Sequence, residues 1–299
     1  MSHGHHHNEP NKSKLLFSVL LNAIITLSEF IGGILSNSLA LISDAVHNLS
    51  DTMAIIISYI ALIIGKKDST AKNTFGFKRI EILSALFNAV VLIAISIYLF
   101  YEAYHRFINP EPIKGKLMFI VATIGFFCNI ISVFLLHKDS SHNLNVRAAY
   151  MHLIGDTLSS VGVIVGSILI YFWDITWIDP ALTIVIGIVI IRATWSIVKE
   201  TVEILMQASP QNLDLDKIKM ELEIHPEIKN IHHIHAWSLS DNITHFQCHV
   251  DLCENKTIKD TDKIRLELED ILHKKFEINH ITIQMEFNSC DSATTINQL

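Results

Sequence analysis

Six long apolar stretches limit what this chain of 299 residues can fold into. They run over Leu15–Leu35, Leu39–Ile64, Ile80–Ala103, Leu117–Leu136, Ala148–Trp173 and Ile178–Val198. At 1.5 Å rise per residue, about 20 apolar residues cross the hydrocarbon core of a bilayer, so each stretch is long enough to span. Half of all residues are hydrophobic and only 18% are charged, a balance typical of membrane proteins. The first stretch is too long for a signal-peptide core and lacks a clear small-residue cleavage site, so it is read as a retained helix.

Orientation follows from Lys and Arg in the short loops. The second–third loop holds Lys66, Lys67, Lys72, Lys78 and Arg79, and the fourth–fifth adds Lys138 and Arg147. On the opposite side only the third–fourth loop is basic, with Arg106, Lys114 and Lys116. Both chain ends are therefore expected in the cytoplasm. Tyr171, Trp173 and Trp177 suit an outer interfacial belt.

Charge inside the stretches is sparse and patterned. His47 and Asp51 lie four apart, on one face of a helix, with Asp44 one turn earlier. The same spacing recurs at His152 and Asp156 in the fifth stretch. Ionisable side chains at membrane depth are costly and mark ion or proton paths by default. One His-x-x-x-Asp pair could be a local hydrogen bond or packing device; two in separate helices point to a single four-ligand metal site. Two imidazoles and two carboxylates suit tetrahedral Zn²⁺. A divalent ion would neutralise the two Asp, and without it protons would take its place, because ligands must be deprotonated to bind metal. His152 and Asp156 sit near the start of their stretch and the first pair near mid-span, so a later entry of the fifth helix or tilt must bring them level. Asp44 either lines the route to this site or bonds a neighbouring helix. Glu29 in the first stretch has the same two readings, and Arg192 in the sixth is placed to snorkel.

After Gln207 the pattern becomes that of a water-soluble domain. Leu213–Ile224 and Thr261–Phe276 read as helices, and Ile228–Leu239, Thr244–Leu252 and His280–Phe287 as strands. The order αββαβ predicts a small α+β domain with helices on one face of a sheet. Domains are drawn as a His-containing tail (1–14), a six-helix transmembrane domain (15–207), a cytosolic α+β domain (208–290) and a C-terminal tail (291–299). From 208 onward the chain has 16 Asp or Glu against 9 Lys or Arg, while the preceding part is balanced. An acidic domain draws divalent cations and repels phosphate backbones, so nucleic acid is not an expected partner. Cys128, Cys248, Cys253 and Cys290 form no metal-binding or disulfide spacing.

Four segments carry a resemblance to a known family: Ser38–Asp51 (SLALISDAVHNLSD), Thr74–Glu81 (TFGFKRIE), Asn145–Asp156 (NVRAAYMHLIGD) and Asp179–Pro180. With them the chain resembles the cation diffusion facilitators over residues 12–290, and most closely the bacterial cadmium–zinc–cobalt efflux branch, which shares the His-rich start and the Thr-Ile-Gln-Met-Glu near the end. The resemblance implies a homodimer in the bacterial cytoplasmic membrane, a six-helix bundle with a cytosolic metallochaperone-like domain, and export of metal in exchange for protons. It places the transport site at His47, Asp51, His152 and Asp156, with His at the first position as in zinc-transporting members. The second–third loop has Asp68 but no His, so the further site that some relatives carry there is not expected.

The resemblance also implies a cytosolic metal site from His232, His249 and Glu286, with His235 in a frequently used position and zinc as a regulatory ion. Strand alternation sends His233 and His235 to one face and His232 to the other. Ordinary surface imidazoles are the alternative there, and the favoured reading of His225, His245 and His273; His105, His137 and His142 read as interfacial. His3, His5, His6 and His7 could capture metal loosely or belong to a tag. The reading is therefore a proton-coupled Zn²⁺ exporter, with Cd²⁺ or Co²⁺ as other cargo. A passive zinc channel or a membrane metal sensor is the alternative. A membrane metalloenzyme is disfavoured, since no His-Glu-x-x-His occurs and four protein ligands leave no position for water.

Overall fold

In the computed structural model, which describes residues 12–137, 144–240 and 243–288, the six apolar stretches are helices. They are α1 (Lys12–Ser36), α2 (Leu39–Gly65), α3 (Ile80–Ile108), α4 (Gly115–His137), α5 (Leu144–Trp173) and α6 (Ile178–Leu205). Helices α2 to α6 are long and apolar enough to cross a membrane, and α1 has a shorter apolar part, Leu20–Ser36. At their C-terminal ends α3 and α6 run well past their apolar stretches, to Ile108 and Leu205. Hydropathy marks where a helix leaves lipid, whereas the backbone ladder runs on through polar residues such as Lys199, Glu200 and Glu203. The chain divides into two compact units, residues 1–59 with 87–198, and residues 60–86 with 199–299.

In the first unit the entry to α2 is fixed from three directions. Asn37 turns the chain between α1 and α2 with φ +60°, a left-handed conformation that Asn tolerates better than most residues. Arg106, near the end of α3, donates to the Asn37 carbonyl (2.7 Å) and to its Oδ1 (3.0 Å). Asn37 Nδ2 in turn donates to Glu111 (2.9 Å). Asp179, in the first turn of α6 and fully buried, accepts from the backbone N–H of Leu39 (2.8 Å) and Ala40 (3.2 Å) and from the Ser38 hydroxyl (2.5 Å). A carboxylate from another helix thus caps the N-terminus of α2, where free N–H groups and the helix dipole both favour negative charge. The Asp-Pro pair also starts α6, with Pro180 in a first turn where no amide proton is needed.

In the second unit, α7 (Leu215–Glu223) is followed by β1 (Ile228–Ser240), β2 (Ile243–Leu252), α8 (Ile258–Phe276) and β3 (His280–Glu286). The sheet order is β1-β2-β3, with β1 and β2 antiparallel and β2 and β3 parallel. The β2–α8–β3 crossover makes the last pair parallel, as a helical connection requires. Ile264, Leu268 and Leu272 recur every fourth residue on α8 and are buried with Ile218 and Leu222 of α7 against Ile231, Phe246 and Val250 of the sheet. Helix α8 begins three residues before the predicted start because Thr257 caps it, accepting from the Asp260 amide. Cys128, Cys248 and Cys253 are free thiols. Burial pushes the Cys248 thiol up to about 12, so it packs as an inert apolar group.

Replacing Asp179 by Ala leaves two amides and a hydroxyl at the start of α2 without their acceptor. The expected loss is roughly 1–3 kcal/mol of stability, with Asp179→Asn in between because its amide oxygen still accepts. Thermal unfolding of the detergent-solubilised protein measures it; an unchanged midpoint in Asp179→Ala would remove the cap from the account of the fold.

Candidate metal centres

With its first turn pinned, α2 carries His47 and Asp51 to α5, where His152 and Asp156 meet them. His152 Nε2 lies 3.0 Å from Asp51 and 3.5 Å from Asp156, while His47 Nε2 lies 3.7 Å from Asp51 and 3.9 Å from Asp156. Each carboxylate therefore stands between both imidazoles, and the four side chains close a ring in which His and Asp alternate. The two imidazole planes cross at 74°, with centroids 5.6 Å apart, so the rings meet edge to face and are not stacked. His47, His152 and Asp156 can each bring one donor atom within 4.8 Å of the others, and Asp51 joins through His152. Zn²⁺ with bonds of about 2.0–2.1 Å spaces tetrahedral donors roughly 3.3 Å apart, within the range of these contacts. Helix α5 begins at Leu144, one turn before the apolar stretch, so His152 and Asp156 lie in its third and fourth turns.

Beside the ring is a buried polar layer. Ser159 of α5 donates to Asp44 (3.0 Å), and Asn48 donates to Glu29 of α1 (3.0 Å). Asp44, Asn48 and Glu29 are all almost completely buried. Both acids thus bond to a neighbouring helix, which is the packing member of the two alternatives the sequence leaves open. Gly125 of α4 lets Glu29 approach, since a Cβ there would sit 2.7 Å from Glu29 Oε1. Neither Asn48 nor Ser159 stands out in the sequence, because an uncharged polar residue in an apolar helix has no periodic signature.

A second cluster lies on the sheet. His249 Nδ1 is 2.7 Å from Glu286 Oε1, and His232 Nε2 is 3.3 Å from Glu286 Oε2. The expected alternation of β1 fails here. The β1–β2 register shifts between His232 and His235, and His233 takes φ +50°, so a bulge interrupts the pleat. His233 consequently joins the others, its ring centroid 4.7 Å from His249 and 5.4 Å from His232. The three imidazoles that converge are His232, His233 and His249, not the expected set with His235, which pairs with Gln247 further along the strand. The N-terminal histidines, His142 and Cys290 lie outside the described residues.

The comparisons with known proteins agree with this architecture. Residues 15–206 match the cation efflux transmembrane domain, and residues 210–288 match the cytoplasmic domain of cation efflux proteins. The chain belongs to the cation efflux family. This cation efflux protein is 39% identical to the cadmium, cobalt and zinc/H(+)-K(+) antiporter of Bacillus subtilis, over 95% of its own length and 92% of the relative's. It is 37% identical to the metal cation efflux system protein CzcD of Cupriavidus metallidurans, over 98% and 93% of the two chains. To the zinc transporter ZitB of Escherichia coli it is 36% identical, over 97% and 94%. Family membership makes the cation efflux protein a transporter and sets the metalloenzyme reading aside.

Two sheet histidines give this domain a pH dependence of definite sign. Burial holds His232 below the ordinary histidine value of 6.5, and the neighbouring His249 and His233 add to this against the opposing pull of Glu286. Burial, and then the nearby His280, lower His245 in the same way. Below 6.5 the unfolded chain therefore binds more protons at these positions than the folded one. Their contribution to stability is complete above that value and is lost as pH falls through it toward the depressed folded values. In chelator-treated protein the unfolding midpoint of this domain should drop on acidification from about pH 7.5 to about pH 5.5. A midpoint that rose over the same interval would contradict the burial of these two imidazoles.

Proposed function

We propose that this chain exports Zn²⁺ from the bacterial cytoplasm across the cytoplasmic membrane in exchange for protons, with Cd²⁺ and Co²⁺ as further cargo. The ring of His47, Asp51, His152 and Asp156 is the observation that carries the reading, since three of its donors converge and Asp51 lies 3.0 Å from His152, all inside membrane-spanning helices. The names of the relatives support the cargo and the antiport, because they include cadmium, cobalt, zinc and H⁺.

The chemistry follows from charge. Two carboxylates and two neutral imidazoles around a divalent ion sum to zero, which a low-dielectric site tolerates. When the ion leaves, the carboxylates are uncompensated, and protons replace the metal on the same atoms. Metal and protons then occupy the ring in turn, and the exchange is tied to movement when each is taken up on opposite sides.

Exposure around the ring is graded. Asp51 and His152 are 33% and 41% exposed, while His47 and Asp156 are 23% and 6% exposed. The two more open side chains are those nearer the basic second–third and fourth–fifth loops, the side that the positive-inside rule gives to the cytoplasm.

The cytosolic cluster of His232, His233, His249 and Glu286 is assigned to regulatory zinc. Bound metal there would favour one arrangement of two domains in a homodimer, a population shift set by differential affinity. His235 is left outside this ligand set. The domain limits proposed are 15–207 for transport and 208–290 for the cytosolic part.

Asp51→Ala and Asp156→Ala should each abolish zinc efflux, since each leaves three donors and a charge imbalance. Proteoliposome assays with an imposed pH gradient test this: the wild-type chain should move Zn²⁺ against its own gradient, and dissipating the pH gradient should stop it. Uphill movement that persists without a pH gradient would refute proton exchange, and purely downhill movement would indicate a passive channel. Wild-type efflux by either variant would move the transport site elsewhere.

A further inference from the structure

Within the second unit a pocket of about 470 Å³ is walled by the segment that opens α3 and by the end of β1, with Phe75, Phe77, Lys78, Arg79, Leu83 and Trp237 in its lining. Two cations meet there without a counter-charge. Among the described residues neither Lys78 nor Arg79 has a hydrogen-bond or ion-pair partner for its side chain, and Arg79 Nε is shut off from solvent with its donor unused. Two cations in the lining of one pocket with no acid among its lining residues favour an anionic occupant. The loop supplies field as well: residues 66–79 hold Lys66, Lys67, Lys72, Lys78 and Arg79 against Asp68 alone.

Apart from Asn73 and Gln207 the remaining walls are apolar, and the position decides what kind of anion fits. Leu83 lies in the first turn of a membrane-spanning helix and is 53% exposed, and Phe75 is 55% exposed. A ligand seated on Lys78 and Arg79 would extend along side chains that face lipid. Trp237, stacked on His245 with the ring planes 16° apart, offers the amphipathic ring that suits headgroup depth. We propose that this pocket binds the phosphate of an anionic glycerophospholipid, with the two cations on the headgroup and the aromatic and leucine side chains against the start of the acyl chains. The chemistry is that of basic pockets beside membrane helices, and the site is distinct from both metal centres.

The full-length protein in neutral detergent would be titrated with short-chain phosphatidylglycerol, the matching phosphatidylcholine and inorganic phosphate, reading the thermal midpoint. Saturable stabilisation by phosphatidylglycerol alone is expected. Lys78→Gln/Arg79→Gln should weaken its apparent affinity by roughly tenfold or more, while Lys78→Arg/Arg79→Lys keeps most of it. A photoactivatable phosphatidylglycerol on the unaltered protein should label peptides within residues 73–83 or 237–239, which decides the matter even where a variant fails to fold. Labelling confined to other peptides, or an undiminished response in the Gln variant, overturns the site. Inorganic phosphate binding as tightly as phosphatidylglycerol overturns the lipid and makes the occupant a soluble anion.

Discussion

A carboxylate in the apolar middle of a helix bundle has to be answered by a partner, and the six-helix unit is arranged around supplying those partners. On insertion scales an acid at the centre of a spanning helix costs about 2.5–3.5 kcal/mol. Glu29 is met by Asn48, Asp44 by Ser159, Asp51 and Asp156 by the two imidazoles, and Asp179 by the first amides of α2. Apart from the His152–Asp156 contact within α5, each of these links has an end on α2, including that of Asp156 to His47. That helix is thereby tied to α1, α5 and α6, and Ser50 adds α3 through its contact with Asn88 at 3.2 Å. Any movement that changed access to the ring would have to trade these bonds for others. The energetics of transport therefore run through the surroundings of a single helix.

What could be read from the chain follows the same logic. Spans were legible because lipid demands long apolar runs. The ring was legible because a four-residue spacing places two donors on one helix face and an intramembrane charge is rare enough to signal. The αββαβ order was legible from apolar periodicity. Asp179 was visible only as part of an Asp-Pro motif; its task as a cap for α2 depends on a contact across about 140 positions, which no local pattern encodes. The bulge at His233 was hidden for a different reason. Alternation assumes an unbroken pleat, and this bulge contains no Gly to betray it, since His233 itself takes the left-handed conformation. Three histidines within four positions of β1 single out a candidate metal-ligating stretch, but which of them converge is settled by the backbone.

The two clusters differ in composition in a way that fits their surroundings. The membrane ring has two carboxylates, so a divalent ion brings it to zero charge. The sheet cluster has three imidazoles and one carboxylate, Glu286, so the same ion would leave it at +1. A net charge of that size is offset in a domain with an excess of Asp and Glu, but costly within lipid. Release of metal from the ring uncovers two negative groups and calls for protons in return. Release from the sheet cluster would uncover only one, Glu286, which lies 2.7 Å from His249 and 3.3 Å from His232. Under the proposed roles, the ring's donor set would make the departure of its ion depend on proton uptake, whereas the sheet cluster would uncover a single carboxylate on losing its ion.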